Sequence, residues 1–120
     1  MAKILAVDDS ASMRSMVAFT LRGAGHDVEE ADNGRAALDQ AGVHKFDLVL
    51  ADVNMPVMDG ISMVREMRTM SGYSGVPILM LTTESDTNKK MEDKAAGATG
   101  WLVKPVDRDQ LLATVARVLG

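Results

Sequence analysis

The sequence has no cysteine, which removes disulfide stapling and thiolate chemistry from consideration. It has no excess of positive charge either: 13 Lys and Arg stand against 17 Asp and Glu, a formal net charge of −4. Binding to a phosphate backbone draws on clustered Lys and Arg, so a nucleic-acid partner is not expected. No apolar run is long enough for a membrane span. The first, at residues 4–7, stops at two acids and is too short even for a signal-peptide core. A cytoplasmic chain without a membrane partner is the expectation. Low-complexity tracts, linkers and long blocks of one charge sign are also missing, which sets aside disorder. At 120 residues the chain is too short for two ordinary domains or an eight-fold barrel.

What is present is a repeated unit of unbroken apolar run, turn and helix-patterned stretch. Ile4, Leu5, Ala6 and Val7 do not alternate with polar residues, as expected of a strand covered on both faces of a parallel sheet. Behind Asp8 and Asp9, Ser10 or Ser12 can cap a helix carrying Met13, Met16, Val17 and Leu21 on one face, with Gly23 and Gly25 as stop signals. Residues 28–31 make a second short strand. Asn33 and Gly34, a pair that often closes hairpins, read here as a strand-to-helix turn because Ala36, Ala37, Leu38 and Ala41 follow with helical spacing. Residues 48–51 form a third strand ending at Asp52. A loop over 53–60 leads to a helix facing inward through Ile61, Val64, Met67 and Met70. Residues 78–81 form a fourth strand ending at Thr82. A helix carrying Met91 and Ala95 and closed by Gly97 should follow, then a fifth strand over 101–103 ending at Lys104. Asp107 can cap the last helix, with Leu111, Leu112, Val115, Val118 and Leu119 on its apolar face.

Five strand signals alternating with five helix signals predict a mostly parallel sheet with right-handed crossovers and helices on both faces. In such sheets ligands bind beyond the carboxyl ends of the strands. Four of the five apolar runs end in groups suited to phosphate or metal chemistry: Asp8 with Asp9, Asp52, Thr82 and Lys104. A carboxylate cluster needs neutralising, and hard oxygen ligands suit Mg2+. Lys104 offers a point charge and Thr82 a hydroxyl donor. A central Asp52 between a metal and an ammonium group can act as nucleophile toward phosphorus.

Other readings of the same residues are weaker. Asp52 and Asn54 could open a calcium-binding EF-hand loop, but its sixth position would be Val57 instead of Gly and its twelfth Met63 instead of Glu. His26 and His44 lack companions at metal spacing and read as structural or solvent-exposed. The ten methionines mostly fall on core faces, with Met55 and Met58 in the loop as candidates for exposure.

The stretches Val7-Asp8-Asp9-Ser10, Asp52-Val53-Asn54-Met55-Pro56 with Asp59-Gly60, Leu81-Thr82, and residues 97–105 ending in Lys104-Pro105 resemble the receiver domain of bacterial two-component systems, across essentially the whole chain. Within that family the chain is most similar to stand-alone chemotaxis receivers of the CheY kind. The resemblance implies a flavodoxin-like doubly wound (βα)5 fold and a single receiver domain over 1–120 without an output domain. The strand order 2-1-3-4-5 likewise comes with the resemblance and not from the pattern.

It further implies that Asp52 is the phosphoacceptor. Asp9, Asp52 and the backbone carbonyl of Asn54 would hold Mg2+, with Asp8 acting through the metal's water shell. Thr82 and Lys104 would contact the phosphoryl group. Trp101 would be the switch aromatic coupled to Thr82, in a place that usually carries a smaller ring. Asn54 and Glu84 would tune dephosphorylation toward a short-lived signal. The implied partners of this monomer are a histidine kinase of the CheA type, then a flagellar motor switch protein or a phosphatase. Thr87, Lys90 and Thr114 depart from the motor-binding pattern, which leaves open a phosphate sink or an adaptor outside motility. The chain reads as a signalling switch, not as an enzyme with an external substrate. A haloacid-dehalogenase-type phosphatase would need a second Asp where Asn54 stands and would place its acidic pair last.

Overall fold

The computed structural model describes residues 2–82, 94 and 96–120. Its elements are β1 (Lys3–Val7), α1 (Ala11–Gly23), β2 (Asp27–Ala31), α2 (Gly34–Val43), β3 (Leu48–Asp52), α3 (Gly60–Arg68), β4 (Ile78–Thr82), β5 (Gly100–Val103) and a helix called α4 here (Arg108–Leu119). The helix expected to carry Met91 and Ala95 lies mostly outside the described residues, as do Glu84, Thr87 and Lys90. Gly97, its expected stop, has φ +113° and donates its N–H to the Lys94 carbonyl at 3.1 Å.

The five strands are parallel in the order β2-β1-β3-β4-β5, as the resemblance implied. The unbroken apolar runs are explained by burial on both faces. Leu5 and Val7 of β1 join Val49, Ala51, Ile78 and Met80 in a core under α2 and α3. Ile4 and Ala6 point the other way, joining Leu48, Leu50, Leu79, Leu81 and Leu102 under α1 and α4. Successive residues of the apolar runs in β1, β3 and β4 thus alternate between the two cores, and neither face leaves room there for a polar position.

Side-chain caps start each described helix, at Ser10 and Asp107 as the sequence suggested and also at Asn33 and Asp59. Ser10, Asn33, Asp59 and Asp107 accept hydrogen bonds from the N–H groups of Met13, Ala36, Ser62 and Gln110 at 3.3, 2.8, 2.8 and 2.9 Å. The Asn33-Gly34 pair is therefore a helix start and not a hairpin. One detail differs from the pattern. Met55 and Met58 are only half-exposed, because both pack against the core beneath α2 and α3. Thr114, one of the positions that depart from the motor-binding pattern, is 7% exposed, on the buried side of α4 with Leu111 and Val115.

At the end of the sheet opposite the carboxyl edge, two long polar side chains tie elements together. Arg68 donates to the carbonyls of Gly97, Tyr73 and Val76 at 2.6–2.9 Å, linking the end of α3 to the approaches of β4 and β5. The buried Tyr73 hydroxyl accepts the Phe46 N–H at 3.1 Å and lies 2.7 Å from the His44 carbonyl and 3.0 Å from that of Ala41.

Candidate phosphoryl and metal site

Strand register assembles the site. Val7 pairs with Ala51, so the next residues, Asp8 and Asp52, sit side by side. Asp52 pairs with Leu81 and Thr82 with Val103, which carries Thr82 and Lys104 to the same edge. All four residues come from the carboxyl ends of β1, β3, β4 and β5, the edge at which an open α/β sheet binds its ligands. Carboxylate oxygens of Asp8, Asp9 and Asp52 lie within 4.8 Å of one another. The Lys104 ammonium is 3.0 Å from Asp52 Oδ1 and 3.8 Å from Asp8 Oδ2.

The acids are not equivalent. Asp9 is exposed, while Asp8 and Asp52 are 2% and 6% exposed. Asp8 Oδ1 accepts the Ser10 N–H at 2.9 Å, but the buried Oδ2 has no hydrogen-bond partner among the described residues; Lys104 lies within ion-pair range of it and beyond hydrogen-bond reach. Burial pushes the Asp8 carboxyl above the usual carboxylate range. The Ser10 N–H opposes this, the Asp52 charge adds to it, Lys104 opposes it and Asp9 adds to it. The electrostatic penalty of the cluster therefore falls first on Asp8.

These donors fit Mg2+: three convergent carboxylates, one with a buried oxygen lacking a hydrogen bond, form a hard oxygen set in need of a cation. Asn54 is exposed two residues beyond Asp52, in the loop that closes the site. Both ends of that loop are pinned by close backbone approaches. Gly60 N–H donates to the Val53 carbonyl at 2.9 Å, and a Cβ on Gly60 would fall on the Asp52 carbonyl oxygen and the Met80 methyl group. Gly34 N–H donates to the Met58 carbonyl at 3.1 Å. Between these points Met58 N–H reaches back to the Pro56 carbonyl at 2.7 Å around Val57, whose φ is +69°. That is the rare, strained form of γ-turn, and it is occupied by a β-branched residue that is 82% exposed.

Thr82 is buried, and its carbonyl accepts the Lys104 N–H at 2.7 Å. Trp101 lies on the neighbouring strand opposite Met80, two residues before Val103, which faces Thr82. The residue is 36% exposed. His26 is structural: its Nδ1 accepts the Ala2 N–H at 3.1 Å.

The response regulator receiver domain family matches residues 4–116. The chain belongs to this family. It is 39% identical over 104 residues to the chemotaxis protein CheY-3 of Vibrio cholerae, covering 86% of this chain and 80% of that protein. The solved structure of the chemotaxis response regulator CheY4 of Vibrio cholerae superposes with a TM-score of 0.94 at 56% identity, covering 98% of each chain. The transcriptional regulatory protein ZraR of Escherichia coli is 40% identical over 116 residues, but the chain spans only 26% of its length. Receiver architecture, a CheY-like fold and a place in two-component signalling follow from these matches.

Proposed function

We propose that this receiver is a phosphorylation-driven switch in which Asp52 takes a phosphoryl group from a phosphohistidine of a CheA-type kinase. The observation that supports it best is the ammonium of Lys104 held 3.0 Å from Asp52 Oδ1, beside two further carboxylates that converge on the same point. In the transfer, an Asp52 carboxylate oxygen forms the new bond to phosphorus as the donor's N–P bond breaks, and the imidazole leaves with the bonding electron pair. Asp9, Asp52 and the Asn54 carbonyl would hold Mg2+, with Asp8 behind them. When bound, that ion offsets negative charge on the phosphoryl oxygens.

The chain's own residues do the rest. Lys104, with a side chain 23% exposed, exchanges its carboxylate partner for a phosphoryl oxygen without leaving the site. The Thr82 hydroxyl offers a donor from the adjacent strand end. Asn54 and Glu84 tune the attack of water that ends the signal. Thr82 moving toward the phosphoryl group leaves space toward Trp101, which carries the change to the surface. The chemistry is confined to the protein's own phosphoryl group, so it is a switch and not an enzyme acting on an external substrate.

A chemotaxis setting in the cytoplasm, with a flagellar motor protein or a phosphatase as downstream partner, rests on the likeness to CheY-3 and CheY4. Incubation with acetyl phosphate and Mg2+ tests the chemistry. One phosphoryl group should be added, Asp52→Asn should abolish it and EDTA should suppress it. Equal labelling of the Asn variant would remove Asp52 as acceptor.

A further inference from the structure

The backbone of Asp8 is tied on both sides. Its N–H donates to the Ala31 carbonyl at 3.1 Å, and its carbonyl accepts Nη1 of Arg14, one turn into α1, at 2.7 Å. The same guanidinium donates through Nε to Glu30 Oε1 on β2 at 3.2 Å. Glu30 is fixed in turn: its second carboxylate oxygen meets Arg22 Nη1 at 3.4 Å, and its backbone carbonyl accepts from Gln40 Nε2 at 2.6 Å. Arg14 is the more enclosed partner, with a side chain 19% exposed against 30% for Glu30.

The carbonyl that Arg14 holds belongs to the peptide joining Asp8 to Asp9. A peptide unit is rigid and planar, so fixing its oxygen fixes the plane from which both acidic residues project. Rotation of that plane would swing the exposed Asp9 carboxylate relative to the buried Asp8 and Asp52 while leaving β1 unchanged. Charge alone does not account for the arrangement, since a guanidinium near a cation site opposes entry of the cation. Directionality does account for it. Only the planar fork of arginine donates at once to a carbonyl and to a carboxylate along two fixed directions, which a lysine ammonium on a flexible stem does not reproduce.

We propose that Arg14, braced by Glu30, is a positioning residue that sets the Asp8–Asp9 peptide plane so that the acidic pair meets the near-ideal octahedral geometry demanded by Mg2+. This rests on the metal reading given above. Ca2+ accepts irregular, flexible coordination, so loss of the brace should separate the two ions.

The test is calorimetric titration of the full chain with Mg2+ and with Ca2+, well below each unfolding midpoint, for the parent, Arg14→Gln and Arg14→Lys. Mg2+ affinity should fall about tenfold in Arg14→Gln, at the lower end of what loss of an outer-shell partner costs. It should fall by a smaller factor in Arg14→Lys, and Ca2+ affinity should fall less than Mg2+ affinity in both. Should Arg14→Gln not fold, Arg14→Lys carries the same comparison. Mg2+ binding that is unchanged or tighter, as removal of a nearby cation alone would give, overturns the proposal, and so does an equal loss for the two ions. A parent that binds no Mg2+ overturns the metal reading and the brace with it.

Discussion

Replacing Asp8 by Asn should stabilise the metal-free protein and weaken it as a metal binder. The side chain is 2% exposed, and its Oδ2 has no hydrogen-bond partner among the described residues. A buried polar atom left in that state costs about 1–3 kcal/mol. Asparagine keeps the oxygen that accepts from Ser10, removes the charge, and turns an NH2 group toward the Asp52 carboxylate, at the cost of placing it near the Lys104 ammonium. The net gain should be about 1 kcal/mol, or roughly 4 °C in the unfolding midpoint of a domain this size.

The pH dependence follows from the direction of the shift. Burial raises the folded-state pKa of Asp8 above its unfolded value, so its ionisation opposes folding. The penalty is fully present above the folded pKa, shrinks as pH falls through it, and vanishes below the unfolded value. The advantage of the Asn variant should therefore be largest at neutral pH and fade on acidification. Mg2+ should reverse the order, because at a hundred times its dissociation constant a ligand adds about 2.7 kcal/mol to the parent, and the variant binds it less well. Urea unfolding in EDTA and in Mg2+, at neutral and at acid pH, reads all of this. A variant that is less stable than the parent in EDTA at pH 7, with an unchanged denaturant slope, refutes the assignment of the penalty to Asp8.

Lys104→Ala should leave Mg2+ binding undiminished, since the ammonium competes with the metal for Asp52, yet slow labelling by acetyl phosphate; undiminished labelling would remove Lys104 from the transfer. Val57→Asn should raise stability by about 1 kcal/mol, because Asn adopts positive φ far more readily than a β-branched residue does; a lower urea midpoint would show that Val57 is relaxed. Tyr73→Phe should lower stability by about 1–3 kcal/mol by stranding the buried Phe46 N–H and a carbonyl acceptor, a loss read by thermal unfolding and contradicted by an unchanged midpoint.

The sheet and its ligand edge were legible in the sequence because each signal is local. Unbroken apolar runs mark strands buried on both faces, and the first polar residue after each run must emerge at one edge. Asp8, Asp52, Thr82 and Lys104 each stand at such a position. What stayed hidden depends on reach across the fold. Nothing in the spacing of Arg14 or Arg68 distinguishes them from surface arginines, yet one holds the peptide between two acids and the other gathers three carbonyls. The unequal burial of Asp8 and Asp9 was equally invisible, since adjacent residues in a turn share their composition and differ only in direction. The burial of Thr114 was hidden in the same way, because a threonine on a helix fits either face and only packing against its neighbours decides.

Arg68 and Tyr73 give the two ends of the sheet different mechanical characters. At one end, five backbone carbonyls from three separate stretches of chain converge on a guanidinium and a phenol, through bonds that need no ion and no modification. At the other end, charged groups face one another with an oxygen left over. A disturbance applied there meets a sheet clamped at its far end, as a tuning fork is clamped at its stem. What is left to rearrange is the set of charged side chains at that edge, Asp8, Asp52 and Lys104, whose partners are one another. A charge arriving at that edge therefore acts directly on these groups, while the bonds at the clamped end involve none of them.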